Sequence, residues 1–243
     1  MKFEYLDNLF KKIYNQIYKK NIPAVDLHLH TSWTDGQNTV DEIFQEANKK
    51  KLEYIFFSEH SRKCSGDWFL KFKKQVDDIN IGSNCQGIVG TEVKVLNYHG
   101  DLDINNMIYD NSDLVMASVH RFPNERGNIM KNTSKIDPND AIKIEYELSM
   151  AVAENKMFDI LGHPFGMSLK RFKVFPDLKL FENIIINLSK NNKVFELNCS
   201  YHNNFYLKQL MRLCLKHNCL ISIGSNAHDL QSIAIIQKRL NEI

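Results

Sequence analysis

The sequence lacks the features that mark several classes of protein. Its 243 residues include five cysteines but no Cys-x-x-Cys pair, so neither a disulfide framework nor a thiolate metal site is expected. No apolar run approaches the roughly 20 residues that a membrane-spanning helix needs. The first residues, MKFEYLDNLFKKIYNQ, are amphipathic and carry acids, unlike the apolar core of a signal peptide. These absences favour a cytoplasmic protein with reduced thiols and no membrane partner.

Neither sign of charge dominates, and a glycine-rich phosphate loop is missing. Lysine and arginine number 31 against 29 acidic residues, and the Lys-rich stretches KKIYNQIYKK and NKKK are typical of solvated helix faces. A nucleic-acid partner is therefore not expected. No Gly-x-Gly-x-x-Gly sequence follows the first apolar run, which argues against a dinucleotide-binding fold.

The chain instead alternates short apolar runs with longer amphipathic segments. Residues 3–20 place apolar side chains at helical spacing before Pro23, which predicts an N-terminal helix. The seven apolar runs that follow are AVDLHLH, YIFFSEH, GIVGTEV, LVMASVH, DILGHP, VFELNCS and LISIGSNAH. Helical patterns separate most of them, so we expect a parallel sheet covered by helices. The expected architecture is a closed or nearly closed (β/α)7 TIM-like barrel over residues 23–243, preceded by a helical extension over residues 1–22.

Six of the nine histidines lie at the carboxyl end of one of these runs. They are His28, His30, His60, His120, His163 and His228, and Glu92 occupies the corresponding place in the third run. The carboxyl ends of barrel strands converge on one rim, where these side chains are expected to meet. His28 and His30 are two residues apart, which puts both imidazoles on one face of a strand. A single histidine near a strand end is more often a hydrogen-bonded core residue, but six in register predict a multinuclear metal site.

The ordered motifs at these positions resemble those of a known family. DLHLHT, TDG, SEH, GTEVKV, SVH, GHP and SNAH, spread from residue 26 to residue 228, are similar to the motifs of the PHP (polymerase and histidinol phosphatase) superfamily. That family has a distorted barrel of seven β/α units and a trinuclear metal centre. Its members include histidinol-phosphate phosphatases, other phosphoesterases, capsule-system tyrosine phosphatases and domains of bacterial replicative polymerases.

The resemblance implies a ligand for every metal position. His28 and His30 would bind the first metal, Glu92 would bridge it to the second, and His120 and His163 would complete the second. Asp35, His60 and His228 would hold the third. The remaining family ligand is the Asp of a Ser-Asp-Ala-His motif, which corresponds here to Asn226.

Asn226 is the one clear departure from the family's pattern, and it falls at the position of a catalytic Asp. An Asn oxygen can coordinate a metal, but it brings no negative charge and cannot take a proton from water. Three explanations stay open: a natural variant with a changed metal load or reaction, a binding-only protein, or a deliberately inactivated form.

The implied activity is hydrolysis of a phosphomonoester of a small metabolite, as in the histidinol phosphatases. A ligand set of imidazoles and carboxylates suits two or three Zn, Mn or Fe(II) ions, which the sequence does not distinguish. Such ions would activate a water as hydroxide and clamp the phosphoryl oxygens. The alternatives are an impaired or inactive metal-binding protein and a phosphodiesterase or nuclease. An amidohydrolase would be expected to retain the final Asp.

Several cationic side chains are expected to overhang the rim and bind phosphate. Arg62 follows SEH, Arg121 follows SVH, and Lys170 and Arg171 follow GHPFGMSL. A guanidinium can grip phosphate through two parallel hydrogen bonds. His202, just past the sixth run, is also predicted to lie at the rim, where contact with substrate and a purely structural role are both open.

Overall fold

Seven strands form one parallel sheet in the computed structural model, which describes residues 4–124, 130 and 136–243. The strands follow each other in chain order, each paired with the next: β1 Val25–Leu29, β2 Tyr54–His60, β3 Gln86–Lys94, β4 Leu114–Ser118, β5 Ile160–Gly162, β6 Val194–Asn198 and β7 Leu220–Gly224. Each lies within or overlaps one of the seven apolar runs. Most strand residues are buried, as expected for a parallel sheet covered on both faces.

The first and last strands meet just beyond their carboxyl ends. The backbone N–H of His30 donates to the carbonyl of Ala227 at 2.9 Å, and the N–H of Ala227 donates to the carbonyl of His28 at 3.1 Å. These two bonds nearly close the sheet into a barrel. The predicted distorted (β/α)7 TIM-like barrel is therefore confirmed, and its first and seventh units are joined at the rim that carries the histidines.

Eight α-helices surround the strands in the described residues. They are α1 Glu4–Tyr18, α2 Val40–Lys49, α3 Trp68–Asn80, α4 Asn106–Asn111, α5 Pro138–Val152, α6 Leu178–Lys190, α7 Asn204–Lys216 and α8 Ile235–Asn241. A short π-helical segment, Ser168–Phe172, follows β5. Local capping fixes several starts: Thr39 and Glu42 form a capping box at α2, and Asp137 caps α5, which begins with Pro138.

The N-terminal helix packs against the end of the barrel opposite the histidines. Its buried face consists of Leu6, Leu9, Phe10, Ile13 and Ile17. The hydroxyl of Tyr14 donates to the carbonyl of Leu215, at the end of α7, at 3.1 Å. The predicted helix is thus present, although residues 1–3 lie outside the described part, and the division into units at residues 22 and 23 stays a prediction.

Two negative findings complete the description. Among the described residues, no helix combines the length and the apolar character that crossing a membrane requires. All five cysteines are described, and none of them forms a disulfide.

Candidate metal centre

Eight predicted ligands come together at the carboxyl-terminal rim of the barrel. Three overlapping groups each bring one ligand atom per residue within 4.8 Å of the others. The groups are His30 with Asp35, His60 and His228; His28 with Glu92 and His163; and His60 with Glu92 and His120. Every predicted histidine and carboxylate ligand belongs to at least one group. The members differ from the expected sets, because His30 joins the third set and His60 links that set to Glu92.

Glu92 lies at the centre of the arrangement. Its carboxylate oxygens lie 2.8 Å from Nε2 of His163, 3.2 Å from Nε2 of His120 and 3.3 Å from Nδ1 of His60. Burial alone would raise the pKa of Glu92, but the facing His120 and His28 hold it well below its usual value. A carboxylate that faces several imidazoles in a buried site is suited to bridging cations.

His28 is oriented by a carboxylate behind it. Its Nδ1 lies 2.7 Å from Oε1 of Glu196 on β6, so the imidazole donates there and leaves Nε2 directed towards Glu92 at 3.6 Å. Burial lowers the pKa of His28, but the charges of Glu196 and Glu92 outweigh it and raise the pKa to about 10. The surroundings of this imidazole therefore favour a cation, either a proton or a metal ion.

The contact between His28 and Glu196 requires the backbone of Gly224 to lie very close to both side chains. A Cβ at Gly224, on the neighbouring strand β7, would lie 2.5 Å from Oε1 of Glu196 and 2.6 Å from Cβ of His28. Real Cβ atoms do not tolerate such distances. Glycine at the end of β7 therefore leaves the space in which His28 and Glu196 meet.

Asp35 lies in the loop after β1 and faces three imidazoles. Its carboxylate oxygens are 3.3 Å from Nε2 of His60, 3.5 Å from Nε2 of His228 and 3.7 Å from Nδ1 of His30. Hydrogen bonds from His228 and His60 lower the pKa of Asp35. The buried carboxylate of Glu59 fixes the start of this loop by accepting the backbone N–H of Thr31 at 2.7 Å.

Asn226 lies beside the first pair of histidines, at the position of the family Asp. Its Oδ1 is 3.2 Å from Nε2 of His30. Its backbone is left-handed, with φ of 51°, a conformation that Asn and Asp adopt more readily than most residues. Its backbone carbonyl accepts from Nδ1 of His228 at 3.0 Å, which leaves Nε2 of His228 facing Asp35.

The residues fit divalent metal ions by two observations. Two buried imidazole nitrogens that face carboxylates of the centre have no hydrogen-bond partner among the described residues: Nε2 of His28, towards Glu92, and Nδ1 of His30, towards Asp35. Nε2 of His120 and Nε2 of His163 also face each other at 3.2 Å beside the same carboxylate. Lone pairs that converge without donors are suited to cations, and a donor set of nitrogen and oxygen suits Zn, Mn or Fe(II).

A cavity of about 330 Å³ opens beside this centre and is lined by cations. Its walls are His60, Ser61, Arg62, Glu92, Lys94, His120, Arg121 and Arg171. Arg62, Arg121 and Arg171 were predicted from sequence, whereas Lys94 was missed. The signal was available, because Lys94 follows Glu92 by two residues on β3 and therefore points to the same face. Burial and the nearby charge of Arg62 lower the pKa of Lys94.

The family follows from a match over most of this chain. The sequence profile of the PHP domain matches residues 26–200, which include the first seven of the eight grouped residues. This chain belongs to the PHP domain family. The resemblance of its motifs to that family is thereby confirmed.

Several known proteins resemble this one along most of its length. A protein of Caldicellulosiruptor saccharolyticus named "Probable phosphatase" is 24% identical over 226 residues, which cover 86% of this chain and 82% of that protein. The DNA polymerase/3'-5' exonuclease PolX of Bacillus subtilis is 23% identical over 215 residues, but the match covers only 35% of its length. The crystal structure of a histidinol phosphate phosphatase from Lactococcus lactis, complexed with zinc, L-histidinol and phosphate, superimposes with a TM-score of 0.64. That match has 16% identity and covers 90% of this chain and 92% of the other, so it shows the shared fold.

His202 of this PHP domain lies beneath the rim, away from the cavity. Its Nε2 lies 3.0 Å from the carbonyl of Pro164, and its Nδ1 lies 3.3 Å from the backbone N–H of Asn198. The side chain is 1% exposed. Both ring nitrogens are engaged within the fold, so of the two roles open at the sequence level we infer the structural one.

Lys170 lies over the ring of Tyr201, a residue near the centre that the sequence did not indicate. The ring of Tyr201 lies 4.1 Å from that of His163, nearly parallel to it, and Nζ of Lys170 lies 4.8 Å from the centre of the Tyr201 ring. Lys170 is exposed and does not line the cavity, unlike its neighbour Arg171. The two adjacent cations therefore have different surroundings.

A buried carboxylate holds the segment that carries both cations. Glu145 on α5 accepts the backbone N–H of Met167 at 3.0 Å, and the N–H and hydroxyl of Ser168 at 2.8 and 2.7 Å. Burial raises the pKa of Glu145 to about 7 despite these donors. Glu145 thus anchors the π-helical segment from which Arg171 reaches the cavity.

Proposed function

We propose that this PHP-domain protein hydrolyses a phosphomonoester of a small metabolite with the help of two or three divalent metal ions. The observation that carries the proposal is the sharing of Glu92 and His60 between overlapping ligand groups directly beside a cation-lined cavity. Ligand groups that overlap are suited to neighbouring ions, and the cations favour an anionic substrate. Relatives named probable phosphatases support the same reaction class.

The proposed ligand sets keep the assignment that the sequence motifs imply. His28, His30, Glu92 and Asn226 would hold the first ion; Glu92, His120 and His163 the second; Asp35, His60 and His228 the third. Bound ions would lower the pKa of a water ligand towards about 7 and neutralise charge on the phosphoryl oxygens. Zn, Mn and Fe(II) are all compatible with these donors.

The chain's own side chains have distinct roles in this proposal. Arg62, Arg121 and Arg171 would bind phosphate of the substrate in the cavity beside the metal centre, because a guanidinium offers paired donors to phosphate. Glu196 holds His28 in the tautomer that leaves Nε2 free. The barrel wall excludes water from the inner imidazoles, since His28, His30 and His163 are almost completely buried.

Asn226 supports a second candidate, an impaired or silent metal-binding protein. Its amide oxygen approaches His30 closely enough to share a metal ion but contributes no charge. The first ion would then be held less tightly than by a carboxylate. Restoring the carboxylate distinguishes this candidate from an active phosphatase.

The direct test is the hydrolysis of p-nitrophenyl phosphate by protein loaded separately with Zn, Mn and Fe(II). We expect turnover that a chelator abolishes and that the same metal restores. Bis-p-nitrophenyl phosphate and a single-stranded oligonucleotide, assayed in parallel, test the phosphodiesterase and nuclease alternatives. Cleavage of the diester or oligonucleotide without cleavage of the monoester would contradict the proposal.

A further inference from the structure

In the part of the chain that the structure describes, the cations that line the cavity at the mouth of the barrel lie on one half of its rim. Arg62, Lys94 and Arg121 lie at or just after the ends of β2, β3 and β4, and Arg171 follows β5. These four strands are consecutive neighbours in the sheet. The loops after β6, β7 and β1, with the sequences CSYHN, SNAHDLQSIA and HTSWTDGQNT, contain no lysine or arginine. The anion-binding capacity therefore lies on one side of the metal centre.

These four cations also lack the acidic partners that other surface cations have. Lys73, Lys74 and Lys216 each form an ion pair with a carboxylate, whereas none of the four does so among the described residues. The carboxylate of Asp103 lies near Lys94, but it accepts the backbone N–H of Lys63 at 2.9 Å. As far as the described residues show, these like charges are grouped without ion-pair partners, which costs energy that a bound anion would offset.

The number of cations and the volume exceed what one phosphate group requires. The ester to be cleaved is a dianion, and divalent ions at the ligand groups would already compensate its charge. The cavity of about 330 Å³ is within the usual range for small-molecule sites of about 300–1,000 Å³. Room and charge for a further anionic group remain above β2 to β5.

We propose that the substrate carries a second anionic group, a phosphate or a carboxylate, which binds to the Arg62–Lys94–Arg121–Arg171 half-rim while the ester to be cleaved lies at the metal centre. This inference rests on the proposed phosphoesterase function and names its substrate class. Two arrangements are possible: a second anionic group on the half-rim, or a single phosphate held by all four cations. A change at Lys94 distinguishes them. Lys94 ends β3, which lies between the strands that Arg62 and Arg121 follow, and it is only partly exposed.

The test uses matched pairs of ligands as competitors of p-nitrophenyl phosphate hydrolysis by the metal-loaded protein. Fructose 1,6-bisphosphate is compared with fructose 6-phosphate, and 3-phosphoglycerate with glycerol 3-phosphate, so that one arm adds a phosphate and the other a carboxylate. We expect the doubly anionic member of at least one pair to have an inhibition constant lower by about tenfold or more, as for one additional charge-assisted contact. The Lys94→Met variant should reduce that ratio to near unity.

The control variant is Lys63→Met, whose side chain is exposed in the same loop as Arg62 but does not line the cavity. It should preserve the wild-type ratio. Equal inhibition constants within both pairs would overturn the inference, as would a Lys94→Met variant that weakens both members by the same factor. Tight inhibition only by an oligonucleotide would overturn it in favour of a nucleic-acid substrate. Absence of p-nitrophenyl phosphate turnover would instead overturn the phosphoesterase proposal on which it rests.

Discussion

Glu196 on β6 fixes the tautomer of His28 on β1: its Oε1 lies 2.7 Å from Nδ1 of the imidazole, on the side away from the metal centre. Its other oxygen accepts the backbone N–H of His163 at 2.6 Å. One carboxylate therefore positions two of the proposed ligands without contacting a metal itself. Such partners keep a histidine ligand oriented and basic.

The Glu196→Gln variant should bind metal about 10–100-fold more weakly, the usual effect of removing such a partner. The amide lacks the negative charge, and its NH2 group cannot accept the bond that the carboxylate accepts. Competition with a chromophoric chelator measures the affinity. Glu182→Gln on α6 is the matched control and should leave the affinity unchanged, because this carboxylate pairs with Lys179, Lys216 and His217 and with no proposed ligand. Equal affinities for both variants would refute the role assigned to Glu196.

Gly224→Ala should also disturb the contact between Glu196 and His28, through a clash from the neighbouring strand β7. The added methyl group would lie 2.5 Å from Glu196 Oε1 and 2.6 Å from Cβ of His28, so both side chains must shift. We expect a loss of about 1–3 kcal/mol in the free energy of unfolding, together with weaker metal binding. Gly82→Ala, where the methyl group meets nothing within 4 Å, is the control. Denaturant unfolding and chelator competition give both quantities, and identical behaviour of the two variants would contradict the packing argument.

Asn226→Asp should strengthen metal binding and increase phosphatase activity, each by at least about tenfold on the scale of changes around a metal ligand. The carboxylate adds a negative charge 3.2 Å from His30, and Asp tolerates the left-handed backbone of this residue. Asn139→Asp, an exposed change at the start of α5, controls for net charge. Metal titration and p-nitrophenyl phosphate turnover are the measurements. Unchanged affinity would mean that residue 226 does not contribute to the first ion.

Glu145→Gln should change how stability depends on pH. The pKa of Glu145 is raised from 4.5 to about 7 by burial, so the folded protein holds a proton that the unfolded chain releases. The stabilisation that comes from binding this proton in the folded state is complete below about pH 4.5 and is lost as the pH rises through about 7. The difference in unfolding free energy between wild type and variant should therefore fall over that range, by at most about 3 kcal/mol. A constant difference from about pH 5 to about pH 8 would show that Glu145 does not titrate there.

The sequence predicted the barrel and its ligand rim because both depend on repeated local patterns. Apolar runs that end in histidine mark strand ends, and the topology of a β/α barrel brings those ends together. His28 and His163 are far apart in sequence, yet both lie against Glu92 because each closes a strand.

Other features depend on contacts that no local pattern encodes. Glu196 is a single acid inside the buried strand VFELN, and its pairing with His28 depends on β1 and β6 lying on either side of β7 once the sheet curves round. The sequence position of His202, just after β6, suggested a place at the rim. Its hydrogen bond to the carbonyl of Pro164 instead directs the side chain into the barrel wall. Lys94 follows from the two-residue period of a strand, which places it on the face of Glu92, but its contact with the cavity depends on the neighbouring loops.

The most direct test of the account is a measurement of metal content by mass spectrometry, paired with turnover of p-nitrophenyl phosphate in the same samples. We predict two or three equivalents of Zn, Mn or Fe per chain, with activity that disappears on chelation and returns on reloading. The His120→Ala variant should lose part of the metal and most of the activity. The control is His217→Ala: His217 contacts Glu182, away from the rim, so this variant should keep its metal and its activity. Fewer than one equivalent per chain, or full turnover by chelated protein, would contradict the proposed metal centre.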